Sequence, residues 1–348
     1  MRDFNYGKLR DIKWDSEILG LVAQIHEYKG KQALYLKQKP ATLEKLVEVA
    51  KIQSTESSNK IEGIITTASR IKQLCEQKTM PRNRDEEEIS GYRDALALIH
   101  ESYEYIPIKV PYILQLHQVL YRYSQRGIGG RFKIAQNFVK ETKADGEEIV
   151  RFVPLDPFET PAAVEKICES FNRAGDACEV DPLILIPAFI MDFLCIHPFS
   201  DGNGRMSRLL TTLLLYRAGY VVGKYVSLES KIENTKDSYY DALAKSDVNW
   251  DIGENDITSF IKYTLGTVLA AYRDFEERMT AVEGKYSSMD LVKIAVGNMI
   301  GKFTKNDVME RVPSIGKTSV ENALRVLLEE DVIGREGKGK ATFYFRKN

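Results

Sequence analysis

Residues 197 to 208 read HPFSDGNGRMSR and combine side chains that could do chemistry on phosphates. The segment Gly202–Gly204 suits a phosphate cradle, because glycine lets the backbone approach an anion closely and a helix N-terminus offers free amides and a favourable dipole. Arg205 and Arg208 lie three residues apart and would extend the cradle along the first turns of the next helix. This spacing predicts a site for nucleotide phosphates.

Two more side chains of the same segment could assist a transfer reaction. Asp201 is unfavourable at the mouth of a phosphate site unless a cation mediates, which indicates a Mg²⁺ ligand. His197 is a candidate general base, since histidine is the side chain most often used for proton transfer near neutral pH. Each residue alone has an ordinary alternative as a helix cap or a turn residue, and only the combination within twelve positions favours nucleotide chemistry.

The segment matches the Fic family signature HPFx[D/E]GNGRxxR at every defined position, and the sequence resembles that family over about residues 90–265. The resemblance implies that AMP is transferred from ATP to a Ser, Thr or Tyr hydroxyl of a protein, including the chain itself. It also implies the role of each residue in the segment. His197 would deprotonate the acceptor, Asp201 would hold Mg²⁺, Asn203 with the amides of Gly202 and Gly204 would bind the α- and β-phosphates, Arg205 would assist them, and Arg208 would bind the γ-phosphate.

A second motif, SNKIEG at residues 58 to 63, lies upstream. Ser58 and Glu62 are four residues apart and share a helical face, and Gly63 suits the end of that helix. Because this spacing is common, the motif alone is typical of a solvated helix end. The family's inhibitory motif is [S/T]xxxE[G/N], so the resemblance implies that Glu62 pairs with Arg208 in place of the γ-phosphate. Some family members use the equivalent glutamate to help remove AMP.

The elements that position these motifs are mostly helices. Apolar residues recur at three- and four-residue steps in several segments, which predicts a mainly α fold: Leu43 to Ile52, Ser90 to Ile99, Val110 to Tyr123, Ala162 to Phe171, Pro182 to Ile196 and Gly204 to Ala218.

A strand-like stretch interrupts the helices and predicts a β-hairpin. Its strands are expected at Arg131 to Val139 and Glu148 to Val153, around the turn-prone KETKADGE, and this region resembles the family's flap. The edge formed by Val150, Arg151, Phe152 and Val153 is our candidate for docking an extended target segment, although a purely structural hairpin stays open.

Two adjacent tyrosines follow the catalytic segment in a stretch, YYDAL, that also resembles the family. Tyr239 and Tyr240 are candidates for packing against the nucleotide base. A core position for one of them is equally open, because neighbours on a helix point in different directions.

The C-terminal part has a different pattern of expected helices and strands. We expect helices from about Met289, Thr304 and Lys317, then two short strands around GREGKGK, which predicts a winged helix. Cations near the expected wing could contact DNA: Arg335, Lys338, Lys340, Arg346 and Lys347. The expected recognition helix is less basic, because Lys317 and Arg325 are offset by Glu321, Glu329 and Glu330, so protein docking or a homodimer stays equally open.

These observations predict four regions. Residues 1–89 form an N-terminal helical region with the inhibitory motif, 90–274 the catalytic core, 275–288 a linker and 289–348 the winged-helix-like domain.

Composition sets few further limits. The 348 residues carry 49 basic and 50 acidic side chains, which shows no overall bias toward nucleic acid or an anionic membrane. The longest apolar run, Leu183 to Ile196, is too short to span a bilayer, and the N-terminus lacks the apolar stretch of a signal peptide, so we expect a cytoplasmic protein.

The four cysteines have neither zinc spacing nor the density of a disulfide scaffold, and we expect reduced thiols.

Three functions therefore stay open. The first is an autoinhibited AMP transferase, which uses ATP with Mg²⁺ on an unidentified target protein or on itself. The second is a Mg²⁺-dependent hydrolase that removes AMP from modified protein. The third is a nucleotide-sensing regulator whose C-terminal part binds DNA, against which the intact His197 argues, because a sensor needs no base.

Overall fold

A computed structural model of the chain describes residues 2–38, 40–142, 148–282, 287–297, 299, 301–312, 315–337 and 342–347. It divides into two compact units, one formed by Met1–Gly30 with Ala50–Ala271 and the other by Lys31–Val49 with Tyr272–Asn348. All the motifs of the predicted site belong to the first unit.

The described structure is mainly helical, as expected. The α-helices are α1 Ser16–Gln38, α2 Pro40–Ile61, α3 Ala68–Cys75, α4 Arg84–Ser102, α5 Val110–Leu120, α6 Thr160–Ala177, α7 Pro182–Ile196, α8 Asn203–Arg217, α9 Leu228–Asn234, α10 Lys236–Ser246, α11 Thr258–Val282, α12 Ser288–Gly297, α13 Lys305–Arg311 and α14 Lys317–Glu329. The strands are β1 Val139–Thr142, β2 Glu148–Phe152, β3 Lys302–Phe303, β4 Ile333–Glu336 and β5 Phe343–Arg346.

Helix α7 lies at the centre of the first unit. Its N-terminus is set by Asp181, whose carboxylate accepts from the Leu183 amide at 2.8 Å, and by Pro182 at the first helical position. Nearly every side chain of α7 is buried, and a helix that is apolar on all sides must be covered on all sides. Helices α6 and α8 pack on it, so the C-terminal end of α7 has a fixed position.

Close packing of α4 on α5 fixes a second side of the core. A Cβ on Gly91 would lie 1.8 Å from the backbone oxygen of Leu120, so only glycine allows this approach. The contact places the C-terminal part of α5 beside the segment between α7 and α8.

The N-terminal residues are tied to α7 by a buried carboxylate. Asp192 accepts from the Tyr6 hydroxyl at 2.9 Å and from Trp250 Nε1 at 2.6 Å, and Arg2 lies 3.3 Å away. Burial raises the pKa of Asp192, although Arg2 and the two hydrogen bonds oppose that rise. These partners satisfy a polar group that would otherwise be costly inside the core.

The hairpin is present, but its first strand is shorter than expected. β1 and β2 pair antiparallel, with Val139 opposite Phe152 and a register shift after Val139. Residues 131–138 are irregular, so the prediction of a strand from Arg131 was wrong for them. Side chains of this segment bond to backbone carbonyls elsewhere in the chain, which competes with a strand ladder. The expected turn falls partly on residues 143–147, which lie outside the described residues.

Residues 288–347 contain a hydrophobic cluster of their own, formed by α12, α13, α14 and β4 around Val292, Val308 and Leu327. The sheet order is β3, β5, β4, and the helices begin close to the expected positions, with a capping box of Thr304 and Asp307 at α13. The winged helix itself stays a prediction. The first eight residues of the expected linker are helical, because Phe275 and Met279 are buried and α11 continues through them.

Two smaller expectations concern membranes and thiols. No helix in the described ranges is long and apolar enough to cross a membrane. All four cysteines are unpaired, with Cys168 and Cys195 buried and Cys178 exposed.

Candidate active site

The catalytic loop, which we define as residues 196–203, connects α7 to α8 in a strained conformation. His197 ends α7 with φ 51° and ψ 59°, and Gly202 precedes α8 with φ 83°. A Cβ on Gly202 would lie 2.9 Å from the Tyr121 ring, so glycine is needed for both its conformation and its space. Asn203 closes the loop, since its side chain accepts from the Phe199 amide at 2.9 Å and donates to the Phe199 carbonyl at 2.7 Å.

A cavity of about 440 Å³ lies over this loop. Its lining includes most residues singled out in the sequence: His197, Asp201, Gly202, Asn203, Gly204, Arg205, Arg208, Glu62, Arg151, Phe152, Tyr239 and Tyr240. The tertiary structure thus brings together the twelve-residue segment, the upstream motif, the hairpin and the tyrosine pair. Ser58 lies beneath the cavity, fully buried, and Val150 and Val153 point to solvent.

The imidazole of His197 has the form that a general base requires. Its Nδ1 donates to the Leu194 carbonyl at 3.1 Å, which leaves Nε2 without a proton in the neutral ring. Burial lowers the pKa of His197 to about 4, and the nearby charge of Lys133 acts in the same direction. The ring is therefore neutral at pH 7 and able to accept a proton.

Asp201 points into the cavity but has arginine partners. Its carboxylate lies 2.5 Å from Arg126 and 3.7 Å from Arg84. Burial would raise the pKa of Asp201, but the Arg126 hydrogen bond and the charge of Arg205 outweigh it and lower the pKa. The side chain is ionised and 32% exposed, so a cation entering the cavity could reach it.

Arg208 is held by the upstream motif. Its Nη2 donates to Glu62 Oε1 at 2.7 Å and to the Ser58 carbonyl at 2.8 Å, and its Nε donates to Ser58 Oγ at 2.8 Å. Burial alone would raise the pKa of Glu62, but the charge of Arg208 and its hydrogen bond lower it. The expected Glu62 to Arg208 pair is therefore present as a charge-assisted contact between two ionised groups.

The same carboxylate lies over the N-terminus of α8. A Cβ on Gly204 would come 2.2 Å from Glu62 Oε1, so the absence of a side chain at 204 makes room for the anion. The first amides of a helix have no intrahelical partner and favour negative charge. Glu62 thus occupies a place where a phosphate oxygen would be favoured.

Arg205 has a different environment from the one expected for a phosphate ligand. Its side chain is 1% exposed and lies 2.7 Å from Glu88 and 2.8 Å from the Tyr121 hydroxyl. Arg84 bonds to the same Glu88 at 2.7 Å and approaches Asp201. Arg205 therefore stabilises the loop through these buried contacts. A direct role on phosphates stays a prediction.

The tyrosine pair and the hairpin form the other side of the cavity. Tyr239 is 5% exposed and Tyr240 36% exposed, with the rings in edge contact at 5.3 Å. Tyr240 has the more exposed side chain and is better placed to contact a ligand. Arg151 reaches from β2 to Asp247 at 2.9 Å, while its Nη1 has no hydrogen-bond partner among the described residues.

Several residues around the loop were not found from the sequence. His117 accepts from the Gly130 amide at 3.0 Å, donates to the Asp201 carbonyl at 3.1 Å and stacks on Phe199 at 3.7 Å between ring centroids. Lys133 and Asn137 bond to the loop from the segment before β1. His117 lies between Gln115 and Gln118 of α5 and gave no distinct signal in the sequence, and nothing there distinguished Lys133 from a surface lysine.

The described cations of the C-terminal part mostly have partners within it. Lys347 contacts Asp331, Arg346 donates to the Gly297 carbonyl, and Lys302 contacts Glu336. Lys338 and Lys340 lie outside the described residues. DNA binding by this part stays a prediction.

Comparison with known proteins identifies the family of the catalytic segment. Residues 107–215 match the sequence model of the Fic/DOC family. The chain therefore contains a Fic domain, and residues 196–203 lie within it.

The chain is similar to curated proteins named protein adenylyltransferase Fic. One from Nematostella vectensis is 26% identical over 189 residues, 51% of this chain and 40% of the relative. Another from Culex quinquefasciatus is 26% identical over 230 residues, 64% of this chain and 41% of the relative. The chain thus spans about two fifths of the length of these relatives.

Solved structures share the fold. A Fic family protein from Desulfovibrio desulfuricans G20 superposes with a TM-score of 0.64 at 21% identity, covering 97% of each chain. Residues 134–508 of Fic-1 from Caenorhabditis elegans superpose with a TM-score of 0.56 at 18% identity, covering 76% of this chain and 74% of that one.

Proposed function

We propose that the chain transfers AMP from ATP to a Ser, Thr or Tyr hydroxyl of a protein, its own included, and that Glu62 restrains this activity. One observation carries the proposal: a neutral histidine, a helix N-terminus and a buried arginine converge on a single cavity. A base and a preorganised cationic cradle are what phosphoryl-type transfer asks of a protein. The names of the curated relatives agree with this chemistry.

His197 acts on the acceptor. Its Nε2 takes the proton of the hydroxyl as the oxygen attacks the α-phosphorus of ATP. The bond from that phosphorus to the bridging oxygen breaks, and pyrophosphate leaves with the electron pair. The proton stays on the imidazole until solvent or a leaving group removes it.

The N-terminus of α8 and Arg208 bind the phosphates. The amides of the first helical turn face the negative oxygens, and the guanidinium of Arg208 provides two further donors. The packing of α8 against α7 holds the amides and Ser58 holds Arg208, so little reorganisation accompanies the reaction.

Asp201 is the residue that would hold Mg²⁺. The described residues contain no group of three or more His, Cys, Asp or Glu side chains that could enclose a metal ion. A single carboxylate fits Mg²⁺, which keeps several waters and is otherwise bound through substrate phosphates. When bound, the ion neutralises charge on the phosphates.

Glu62 restrains transfer by competing with the nucleotide. Its carboxylate uses the Arg208 donors and the space over Gly204 that a phosphate would need. ATP that binds beside it has an α-phosphate poorly aligned for attack, and poor alignment lowers turnover more than affinity.

The hairpin provides the docking edge for the target. Val150 and Val153 are 52% and 59% exposed, whereas Arg151 and Phe152 line the cavity beside the loop. An extended segment added to this edge would present a hydroxyl near His197 through main-chain hydrogen bonds, with little dependence on sequence.

Removal of AMP is the second candidate, favoured by the position of the same glutamate. The Glu62 carboxylate lies in the cavity with His197, where it could orient a water toward a phosphodiester. In removal, water attacks the phosphorus of the protein-bound AMP, the bond from that phosphorus to the side-chain oxygen breaks, and AMP and the free hydroxyl are released. In transfer, the protein hydroxyl attacks the α-phosphorus of ATP and pyrophosphate leaves.

The deciding experiment compares incorporation of α-labelled AMP by wild type, Glu62→Gly, Glu62→Gln and Glu62→Gly with Arg208→Ala, at saturating ATP and Mg²⁺. We expect Glu62→Gly to raise incorporation by roughly tenfold or more, since the carboxylate no longer competes for the arginine. The neutral isostere Glu62→Gln should give an intermediate rate, and the double variant should lose the gain.

Equal rates for wild type and Glu62→Gly would reject restraint by Glu62. Loss of label from premodified protein that depends on Glu62 would favour removal of AMP. A label from γ-labelled ATP would instead indicate phosphate transfer and contradict the proposal.

A further inference from the structure

A buried lysine from the segment before β1 reaches the catalytic loop. Lys133 is 3% exposed, and its Nζ donates to the Ile196 carbonyl at 3.0 Å and to Asn137 Oδ1 at 2.9 Å. Its backbone amide donates to the Pro198 carbonyl at 2.9 Å. One residue thus bonds to the loop on both sides of His197.

Asn137 bonds to the other two carbonyls of residues 196–199. Its Nδ2 donates to the His197 carbonyl at 3.2 Å and to the Phe199 carbonyl at 2.9 Å, while its Oδ1 accepts from Lys133. The four consecutive carbonyls of residues 196–199 therefore all accept hydrogen bonds from Lys133 and Asn137.

These hydrogen bonds satisfy carbonyls of the loop that would otherwise lack a backbone partner. Helix α7 ends at Ile196, so the carbonyls that follow have no amide of a next turn to bond. His197 also has the left-handed conformation, which is unfavourable for a residue with a side chain and persists only when its surroundings impose it. Burying an ammonium group is costly and lowers the pKa of Lys133 to about 8, and the charge of Asp156 acts against that shift. The bonds to Asn137 and to the loop satisfy the buried group as well.

We propose that Lys133 and Asn137 are positioning residues that hold His197 in its left-handed conformation, so that the imidazole faces the acceptor hydroxyl. The inference rests on the proposed function, because it takes His197 as the base. A residue that only stabilised the fold would not affect the reactivity of one imidazole.

The test uses the full chain with Lys133→Met, Asn137→Ala, the conservative Lys133→Arg and the matched control Arg131→Met. Arg131 is an exposed cation of the same segment. Activity is measured as AMP incorporation in the Glu62→Gly background. Mobility of the loop is measured separately as acylation of His197 by diethyl pyrocarbonate, located by mass spectrometry, with the exposed His26 and the buried His100 as internal references.

We expect Lys133→Met and Asn137→Ala to lower kcat by about 10-fold to 100-fold, the range that a misplaced reacting group produces, with KM for ATP changed by less than about twofold. His197 should be acylated several-fold faster than in the control, relative to the references. Lys133→Arg should recover part of both effects. If Lys133→Met does not fold, as judged by circular dichroism, Asn137→Ala carries the test.

Rates of acylation and turnover equal to those of Arg131→Met would overturn the proposal. A rise in KM without a fall in kcat would also overturn it, because that result assigns the pair to ATP binding. If the parent incorporates no AMP while His197 acylation still rises in the variants, the positioning role stands and the proposed function is what has failed.

Discussion

Arg205 and Arg208 both have an acidic partner within the chain, and the two partners differ in how easily a ligand could replace them. Glu88, the partner of Arg205, is 2% exposed and belongs to the core. Glu62, the partner of Arg208, is 31% exposed at the cavity. We therefore expect an incoming anion to compete with Glu62 and to leave Glu88 in place, because removing a buried partner would leave an uncompensated charge.

At the level of single residues, His197→Ala should abolish AMP incorporation and leave ATP binding within about twofold. The change removes the base but not the α8 amides or Arg208, which bind the phosphates. Labelled-AMP incorporation and calorimetric titration with ATP measure the two effects. Substantial remaining incorporation would mean that another group accepts the proton.

Asp201 and Arg126 allow a paired prediction about Mg²⁺. Asp201→Asn should raise the Mg²⁺ concentration at half-maximal incorporation, since it removes the carboxylate charge. Arg126→Gln should lower that concentration, because the arginine competes for the same carboxylate. Titration of Mg²⁺ at fixed ATP gives both midpoints, and superimposable curves for the three proteins would reject Asp201 as the ligand.

At the level of elements, the end of α2 sets the position of Glu62. The Glu62 and Ile64 amides both donate to the Asn59 carbonyl at 3.0 Å, and Gly63 has φ 77°. This left-handed residue turns the chain directly after Glu62, which is a common way to end a helix. We expect the geometry of this turn to hold the Glu62 carboxylate toward Arg208.

Gly63→Ala should therefore relax the restraint and raise AMP incorporation, although less than Glu62→Gly does. Alanine fits the space but is strained at positive φ by about 1 kcal/mol, so the turn shifts. Gly253→Ala is the matched control, because Gly253 also has φ 78° and open space around it but lies outside the cavity lining. Equal incorporation by the two variants would show that the turn does not control Glu62.

At the level of the whole molecule, buried histidines should make stability depend on pH. Burial lowers the pKa of His100 to about 3 and the pKa values of His117 and His197 to about 4. In the unfolded chain these groups take up protons near pH 6.5, so the unfolded state binds more protons below that pH. The free energy of unfolding should fall as pH drops from 7.5 to 5.5, by roughly 1 kcal/mol for each histidine.

Urea denaturation at pH 7.5, 6.5 and 5.5 measures this dependence. Asp192 and Glu56 have pKa values raised by burial and act in the opposite direction, so a variant isolates the histidine effect. His100→Gln should reduce the loss of stability between pH 7.5 and 5.5 by about a third. An unchanged pH dependence in that variant would contradict the assignment.

Much of the site could be predicted from the sequence because its residues are neighbours in the chain. The segment from His197 to Arg208 is continuous, so helix geometry alone places both arginines and the glycines at one helix end. The helix expected from about Thr304 begins at Lys305, where the structure shows Thr304 and Asp307 in a capping box. The strand predicted from Arg131 was wrong, because side-chain bonds between distant segments replaced the ladder that its local pattern favoured.

The sequence by itself determined the mainly helical class, the hairpin and the twelve residues of the catalytic segment, since these depend on periodicity and short-range spacing. Only the tertiary structure decided which partners meet that segment. Arg205 faces Glu88 rather than open solvent, and Lys133 is buried against the loop, because packing of α4 and the segment before β1 brings residues more than 60 positions apart into contact. Such contacts depend on how helices pack against each other, which local patterns do not encode.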